Sequence, residues 1–123
     1  MKQVLVIEDD RDLSNLFAMI LKMGGFEVDI VSDGREAVRR LDEPLPDAIT
    51  LDLHLPGVSG SDIFAMLEQR KEVHRVLVCS ADVQEVQNYV QRGAEAVTKP
   101  VAMDDLIRRV TAIAEHSLVA ELS

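Results

Sequence analysis

Asp52 closes the apolar run Ala48-Ile49-Thr50-Leu51 and leads into Leu53-His54-Leu55-Pro56. A carboxylate there belongs at the carboxyl edge of a buried strand. Three further polar signals end apolar runs in the same way. Glu8 and Asp9 follow Val4-Leu5-Val6-Ile7, Ser80 follows Val76-Leu77-Val78-Cys79, and Lys99 follows Ala96-Val97-Thr98. If these runs are neighbouring parallel strands, their ends meet in one crevice that holds three carboxylates, a hydroxyl and an ammonium. Such a group suits a divalent cation and a phosphoryl group. Magnesium takes oxygen ligands and usually keeps several waters, so one or two carboxylates plus a phosphate oxygen suffice. Asp52 is the candidate nucleophile, because a carboxylate can attack a phosphoryl group and form an acyl phosphate. Charge then spreads over the equatorial oxygens, which calls for a cation and hydrogen-bond donors rather than a strong base. Lys99 supplies an ammonium and Ser80 a hydroxyl. Plainer readings stand beside these. Asp9 or Asp10 can cap a helix beginning near Arg11, Ser80 can be a satisfied strand-end residue, and Lys99 can reach solvent or pair with Asp52 without chemistry.

The elements that must position these groups show two periods. Short, continuous runs rich in Val, Ile and Leu predict strands at about Gln3–Ile7, Glu27–Val31, Ala48–Leu51, Arg75–Cys79 and Ala96–Thr98, as in parallel sheets covered on both faces. Between them the spacing becomes helical. Leu13, Leu16, Phe17, Ile20 and Leu21 recur at i, i+3, i+4, i+7 and i+8, and Ile63, Met66 and Leu67 at i, i+3 and i+4. Ala37 and Leu41, then Val86, Tyr89 and Val90, then Leu106, Val110 and Ile113 mark three further helices. Gly24-Gly25, Asp33-Gly34, Pro44, Pro46, Gly57, Gly60, Gly93 and Pro100 punctuate the pattern. Strand–helix alternation of this kind implies right-handed crossovers with helices on both faces. Ligands then bind outside the carboxyl ends of the strands, where strand order reverses. Convergence of the polar groups favours the flavodoxin-like order 2-1-3-4-5, a three-layer (βα)5 sandwich.

Composition narrows the classes. The 123 residues suit one domain, and 47% are hydrophobic, enough for a core. A formal net charge of −9 argues against direct nucleic-acid binding. No apolar stretch approaches the ~20 residues of a membrane span. Met1-Lys2-Gln3-Val4 leads straight into a strand-like run without a signal-peptide pattern, so a cytoplasmic location is expected. The single cysteine, Cys79, ends a strand-like run and reads as a buried core thiol. There is no Cys/His cluster for zinc and no glycine-rich nucleotide loop. Asp47 precedes the third strand and belongs to turn chemistry at the opposite end. His74 and His116 read as surface residues, and His54 as a flank of the pocket.

The ordered motifs resemble a response-regulator receiver domain of two-component signalling. They are Val-Ile-Glu-Asp-Asp at 6–10, Asp-Gly-Arg-Glu-Ala at 33–37, Pro-Asp-Ala-Ile-Thr-Leu-Asp-Leu-His-Leu-Pro at 46–56, Gly60, Ser80-Ala81, Gly93-Ala94 and Lys99-Pro100. The resemblance implies a single receiver over 1–123, with its core at about 3–115 and a helical extension at about 116–123. It implies that Asp52 accepts a phosphoryl group from a phosphohistidine on a histidine kinase or histidine phosphotransfer protein. It further implies Mg2+ held by Asp9, Asp52 and the His54 backbone carbonyl, with Glu8 on a metal-bound water, and Ser80 and Lys99 on the phosphoryl oxygens. Such a domain is a phosphoacceptor that assists its own phosphorylation and dephosphorylation rather than an enzyme acting on other substrates. The altered surface is then read by a downstream protein target.

The resemblance also marks His54 and Asp82, each two residues past a site residue, as positions that tune phosphate lifetime by controlling water access. We expect them to pair across the pocket mouth. One position departs from the family, which usually carries an aromatic residue three before the lysine, where this chain has Ala96. Tyr89 is the nearest substitute, and it also reads as a half-buried packing residue. In the last helix, Ile107, Ala114, Leu118 and Leu122 form a second stripe, either a frayed tail or a contact for a partner or a second copy (a homodimer). The rival readings are a receiver-like interaction module acting without phosphorylation, an aspartyl phosphohydrolase and a flavin-binding protein. A phosphohydrolase would need a second acid where His54 stands. A flavin phosphate would need donors where the loop after the first strand is acidic.

Overall fold

Strands and helices alternate along the chain, each helix returning the chain so that the next strand runs parallel to the last. The computed structural model describes the backbone of residues 1–122 and the side chains of residues 1–117. The strands are β1 (Gln3–Ile7), β2 (Glu27–Val31), β3 (Ala48–Asp52), β4 (Val76–Ser80) and β5 (Glu95–Thr98). The helices are α1 (Arg11–Met23), α2 (Gly34–Leu41), α3 (Gly60–Gln69), α4 (Val83–Gln91) and α5 (Met103–Leu122), with a single 3-10 turn at Val73–Arg75. All pairings are parallel, and the sheet order is β2-β1-β3-β4-β5. This is the flavodoxin-like order that convergence of the polar groups had favoured.

The pleat sends alternate residues to opposite faces. Leu5, Ile7, Ile49, Leu51, Val76 and Val78 face α2, α3 and α4, meeting Ala37, Leu41, Ile63, Phe64, Leu67 and Val86. Val4, Val6, Ala48, Leu77 and Cys79 face α1 and α5, meeting Phe17, Ile20, Leu21, Leu106 and Val110. The central strands β3 and β4 are buried at every residue, whereas the edge strand β2 exposes Glu27, Asp29 and Ile30. Burial pushes the Cys79 thiol up to about 12, consistent with an inert core residue. Among the described residues, no helix is long and apolar enough to cross a membrane.

Helix starts follow their caps. Asp10, Asp33, Ser59 and Asp82 each accept a backbone N–H from the first turn of α1, α2, α3 and α4 respectively. Asp10, rather than Asp9, is therefore the cap of α1, which leaves Asp9 free of that duty. Asp47 accepts the Gln3 N–H at 2.8 Å, at the end of the sheet opposite the crevice.

Several boundaries and surfaces differ from expectation. β4 starts at Val76 because Arg75 belongs to the 3-10 turn, where its guanidinium is buried against Glu72 and the Pro46 carbonyl. β3 and β4 extend through Asp52 and Ser80, so both polar residues are the last of their strands. His74 is half-buried rather than on the surface, with its ring edge-on to that of His116 at 5.6 Å. The expected second stripe on α5 does not form over the described residues. Ala114 is fully buried and Ile107 packs against the α1–α5 core, while the side chains of Leu118 and Leu122 lie outside the described residues.

Candidate functional site

Strand register assembles the crevice. Ile7 pairs with Leu51, so Glu8, one residue on, lies level with Asp52. Asp52 pairs with Cys79, and Ser80 with Thr98, which carries the row across to Lys99. The Lys99 N–H donates to the Ser80 carbonyl at 2.8 Å, extending the ladder one residue past β5. Glu8, Asp9 and Asp52 each present a carboxylate oxygen, all within 4.8 Å of one another. The Lys99 ammonium lies 2.5 Å from Glu8 Oε1 and 3.5 Å from Asp52 Oδ1. Glu8 is only 3% exposed and Asp52 5%, whereas Asp9 is open to solvent. Both buried acids are also held by backbone: Glu8 Oε2 accepts the Asp10 N–H at 3.2 Å, and Asp52 Oδ1 accepts the His54 N–H at 3.1 Å.

The loop after β3 depends on Gly60, the first residue of α3. A methyl group there would stand 2.0 Å from the Asp52 carbonyl oxygen and 2.6 Å from the Leu53 Cα. The Gly60 N–H donates to the Leu53 carbonyl at 3.1 Å. Only glycine lets the start of α3 lie flat against the backbone that carries Asp52.

One ammonium does not balance the cluster. Burial, reinforced by Asp52, pushes the Glu8 carboxyl up to about 7, against the pull of Lys99 and the Asp10 N–H. Burial also opposes the Lys99 charge, but the hydrogen bond that it donates to Glu8 and the fields of Asp52 and Glu8 outweigh it and hold the ammonium above its ordinary range. The crevice therefore favours one more positive charge, carried either by a proton on Glu8 or by a cation. Three oxygen donors with one side open to solvent fit a hard divalent cation that keeps water ligands.

The pocket mouth is arranged differently from expectation. Ser80 Oγ donates to Glu85 Oε1 at 2.8 Å and accepts the Asp82 N–H at 3.0 Å. Neither of these bonds reaches Asp52 or Lys99. The anticipated His54–Asp82 pair is absent. His54 Nε2 lies 2.7 Å from Glu85 Oε1, while Asp82 Oδ1 accepts the N–H groups of Gln84 and Glu85. A cap carboxylate turned to its own helix is not available across the pocket. The Glu85 contact holds the His54 imidazole above its ordinary pKa, although its side chain is 69% exposed. Glu85 is the site residue that sequence reasoning missed. Its signal was the Asp82-Val83-Gln84-Glu85 spacing of a capping box, five residues beyond Ser80.

The strand-end acids and the lysine thus share one crevice at the carboxyl ends of the strands, and comparison with known proteins identifies the family. The family profile described as the response regulator receiver domain matches residues 4–111. The chain belongs to the response-regulator receiver family.

The receiver is 37% identical over 116 residues to the sensory transduction protein RegX3 of Mycobacterium tuberculosis, covering 92% of this chain and 51% of that protein. It is 36% identical over 126 residues to the phosphate regulon transcriptional regulatory protein PhoB of Rhizobium meliloti, covering 98% and 56%. The chain thus spans about half the length of the curated relatives it matches. Among solved structures, a signal receiver domain from Vibrio parahaemolyticus superposes with a TM-score of 0.87 at 27% identity, over 98% of this chain and 95% of that one. The receiver domain of the Francisella response regulator 1452 shares the fold with a TM-score of 0.86 at 23% identity, over 95% and 99%.

In this receiver the β5 position of Ala96 is buried and carries no aromatic ring. Tyr89 does not replace one. It is buried on α4, edge-on to Phe64 at 4.9 Å, with the Arg92 guanidinium over both rings. Its position is that of a packing residue.

Proposed function

We propose that Asp52 accepts a phosphoryl group from a phosphohistidine on a histidine kinase or histidine phosphotransfer protein, and that the modified domain changes its binding surface for a downstream protein. The observation that carries this reading is the buried Asp52 carboxylate, 3.5 Å from the Lys99 ammonium and beside two further acids at the strand ends. An Asp52 carboxylate oxygen attacks phosphorus as the donor P–N bond breaks. The electron pair stays on the imidazole nitrogen, and the donor histidine, protonated at its other ring nitrogen, leaves as neutral imidazole. The product is a mixed anhydride on Asp52, which water can later cleave. Lys99 neutralises charge on the transferring group, and Ser80 can donate its hydroxyl proton to a phosphoryl oxygen. Glu8, Asp9, Asp52 and the His54 backbone carbonyl would hold Mg2+, which supplies a positive charge shared between the acids and the phosphoryl oxygens.

We read residues 1–123 as one receiver domain of cytoplasmic type. Its acidic balance supports protein rather than nucleic-acid contacts for this stretch. Incubation with magnesium and a small phosphodonor, followed by intact mass, tests the reading. We expect a gain of one phosphoryl group that is lost with a chelator or with Asp52→Asn. No gain by the folded protein would favour an interaction module that works without phosphorylation.

Glu8 makes cation binding dependent on pH. Its pKa is raised in the fold to about 7 from the ordinary carboxylate range. Between those values the folded state holds a proton that the unfolded state has released. Stability therefore falls as pH climbs through this window, unless a cation takes the place of the proton. Magnesium is expected to raise Tm more at about pH 8 than at about pH 6, and Glu8→Gln is expected to flatten that difference. Equal increments at both pH values in the unaltered protein would contradict the assignment.

A further inference from the structure

A serine hydroxyl has one proton to donate, and a carboxylate accepts. In this structure the Ser80 proton is directed to Glu85 Oε1 at 2.8 Å. A phosphoryl oxygen on Asp52 would require the same proton. Ser80 is essentially buried at 1% exposure, so it has no solvent partner to fall back on. Its oxygen is fixed from the other side by the Asp82 N–H at 3.0 Å. The chain Asp82 N–H to Ser80 Oγ–H to Glu85 is continuous, and donors and acceptors linked in this way polarise one another. His54 Nε2 meets the same Glu85 oxygen at 2.7 Å and anchors the far end.

Glu85 also has a second place to go. It is the third residue of α4, whose N-cap is Asp82. In a capping box the acid at that position accepts the backbone N–H of the cap residue. Here the Asp82 N–H is occupied by Ser80 Oγ instead. If Ser80 rotates towards Asp52, the Asp82 N–H is released and Glu85 is in sequence position to receive it. Each group then has a partner in both arrangements.

We propose that Glu85 is a positioning residue for the acceptor site, holding the Ser80 hydroxyl in an idle arrangement until phosphorylation of Asp52 draws it away and Glu85 takes the Asp82 N–H at the start of α4. The proposal rests on the phosphoacceptor reading. It couples the chemistry at Asp52 to the first turn of α4 through hydrogen-bond exchange, with no aromatic side chain in β5.

The test is a calorimetric titration with beryllofluoride and magnesium, a phosphoryl mimic, on the unaltered chain, Glu85→Ala, Glu85→Gln, Ser80→Ala and the Ser80→Ala/Glu85→Ala double variant. Glu85→Ala is expected to bind about tenfold more tightly, the effect of removing one charge-assisted competitor for the hydroxyl. Glu85→Gln, which keeps a neutral acceptor, is expected to fall between the two. In the Ser80→Ala background the Glu85→Ala change is expected to have no effect, a result that a merely structural role would not produce. Side-chain couplings measured by NMR on the metal-free protein give a second readout, with one Ser80 rotamer in the unaltered chain and averaging in Glu85→Ala. Unchanged affinity in Glu85→Ala, a gain that persists without the serine hydroxyl, or a single Ser80 rotamer in Glu85→Ala would overturn the proposal. Failure of the unaltered chain to bind the mimic any better than Asp52→Asn is a different result, and it would overturn the phosphoacceptor reading on which the proposal rests.

Discussion

Replacing Lys99 with methionine is expected to slow phosphorylation of Asp52 by about 10²- to 10³-fold, the usual loss when a preorganised charge stabiliser is removed. The argument starts from geometry. Lys99 is the one cation within 4.0 Å of both Glu8 and Asp52 among the described residues, and methionine keeps the stem while removing the charge. Two consequences separate this loss from general damage to the fold. Glu8 loses the contact that pulls its carboxyl down, so its proton should bind more tightly in the variant. The metal-free variant should therefore remain folded by protonating Glu8, and its deficit in stability should shrink as the pH is lowered. Stopped-flow or quench kinetics with a small phosphodonor would check the rate, and thermal melts across pH the compensation. A variant rate within about threefold of the unaltered protein would remove Lys99 from the reaction.

Gly60→Ala is expected to destabilise the domain by about 3 kcal/mol, the upper end for overpacking, because the added methyl meets backbone rather than a flexible side chain. Its nearest neighbours would be the Asp52 carbonyl at 2.0 Å and the Leu53 Cα at 2.6 Å. Relief requires α3 to back away, or the segment from Asp52 to His54 to shift. The second movement would carry the acceptor carboxylate with it. Urea denaturation should show the lower midpoint, and the folded fraction should phosphorylate more slowly than the unaltered domain. A midpoint unchanged by the substitution would mean that the contact between α3 and the end of β3 is softer than the structure shows.

Much of this architecture was legible in the sequence because the same residues carry two signals. Val4–Ile7, Ala48–Leu51 and Val76–Cys79 read as buried strands by their continuous apolar character, and each ends on a polar residue whose burial needs a reason. Glu8, Asp52, Ser80 and Lys99 could thus be brought to one edge from pattern alone, and strand order followed from the need to bring them together. Other features depend on geometry that pattern does not carry. Glu85 stands at capping-box spacing from Asp82, which marks a helix start, and its distance to Ser80 Oγ is what ties it to the site. The pairing expected between His54 and Asp82 failed because Asp82 spends its carboxylate on the N-terminus of α4. Ala114 and Ile107 read as a second stripe, since helical spacing alone does not say how wide a face α1 and the sheet will cover. The half-buried state of His74 likewise arises from α5 crossing the turn at Val73–Arg75, a contact between segments about forty residues apart.

The central claim is that the phosphoryl group resides on Asp52. Borohydride reduction converts an acyl phosphate on aspartate to homoserine, so peptide mapping after phosphodonor treatment reads the site directly. Homoserine at position 52, absent without donor or with magnesium chelated, is the predicted result. Reduction at Glu8 or Asp9 instead, or a phosphate that survives on the Ser80 hydroxyl, would contradict the account.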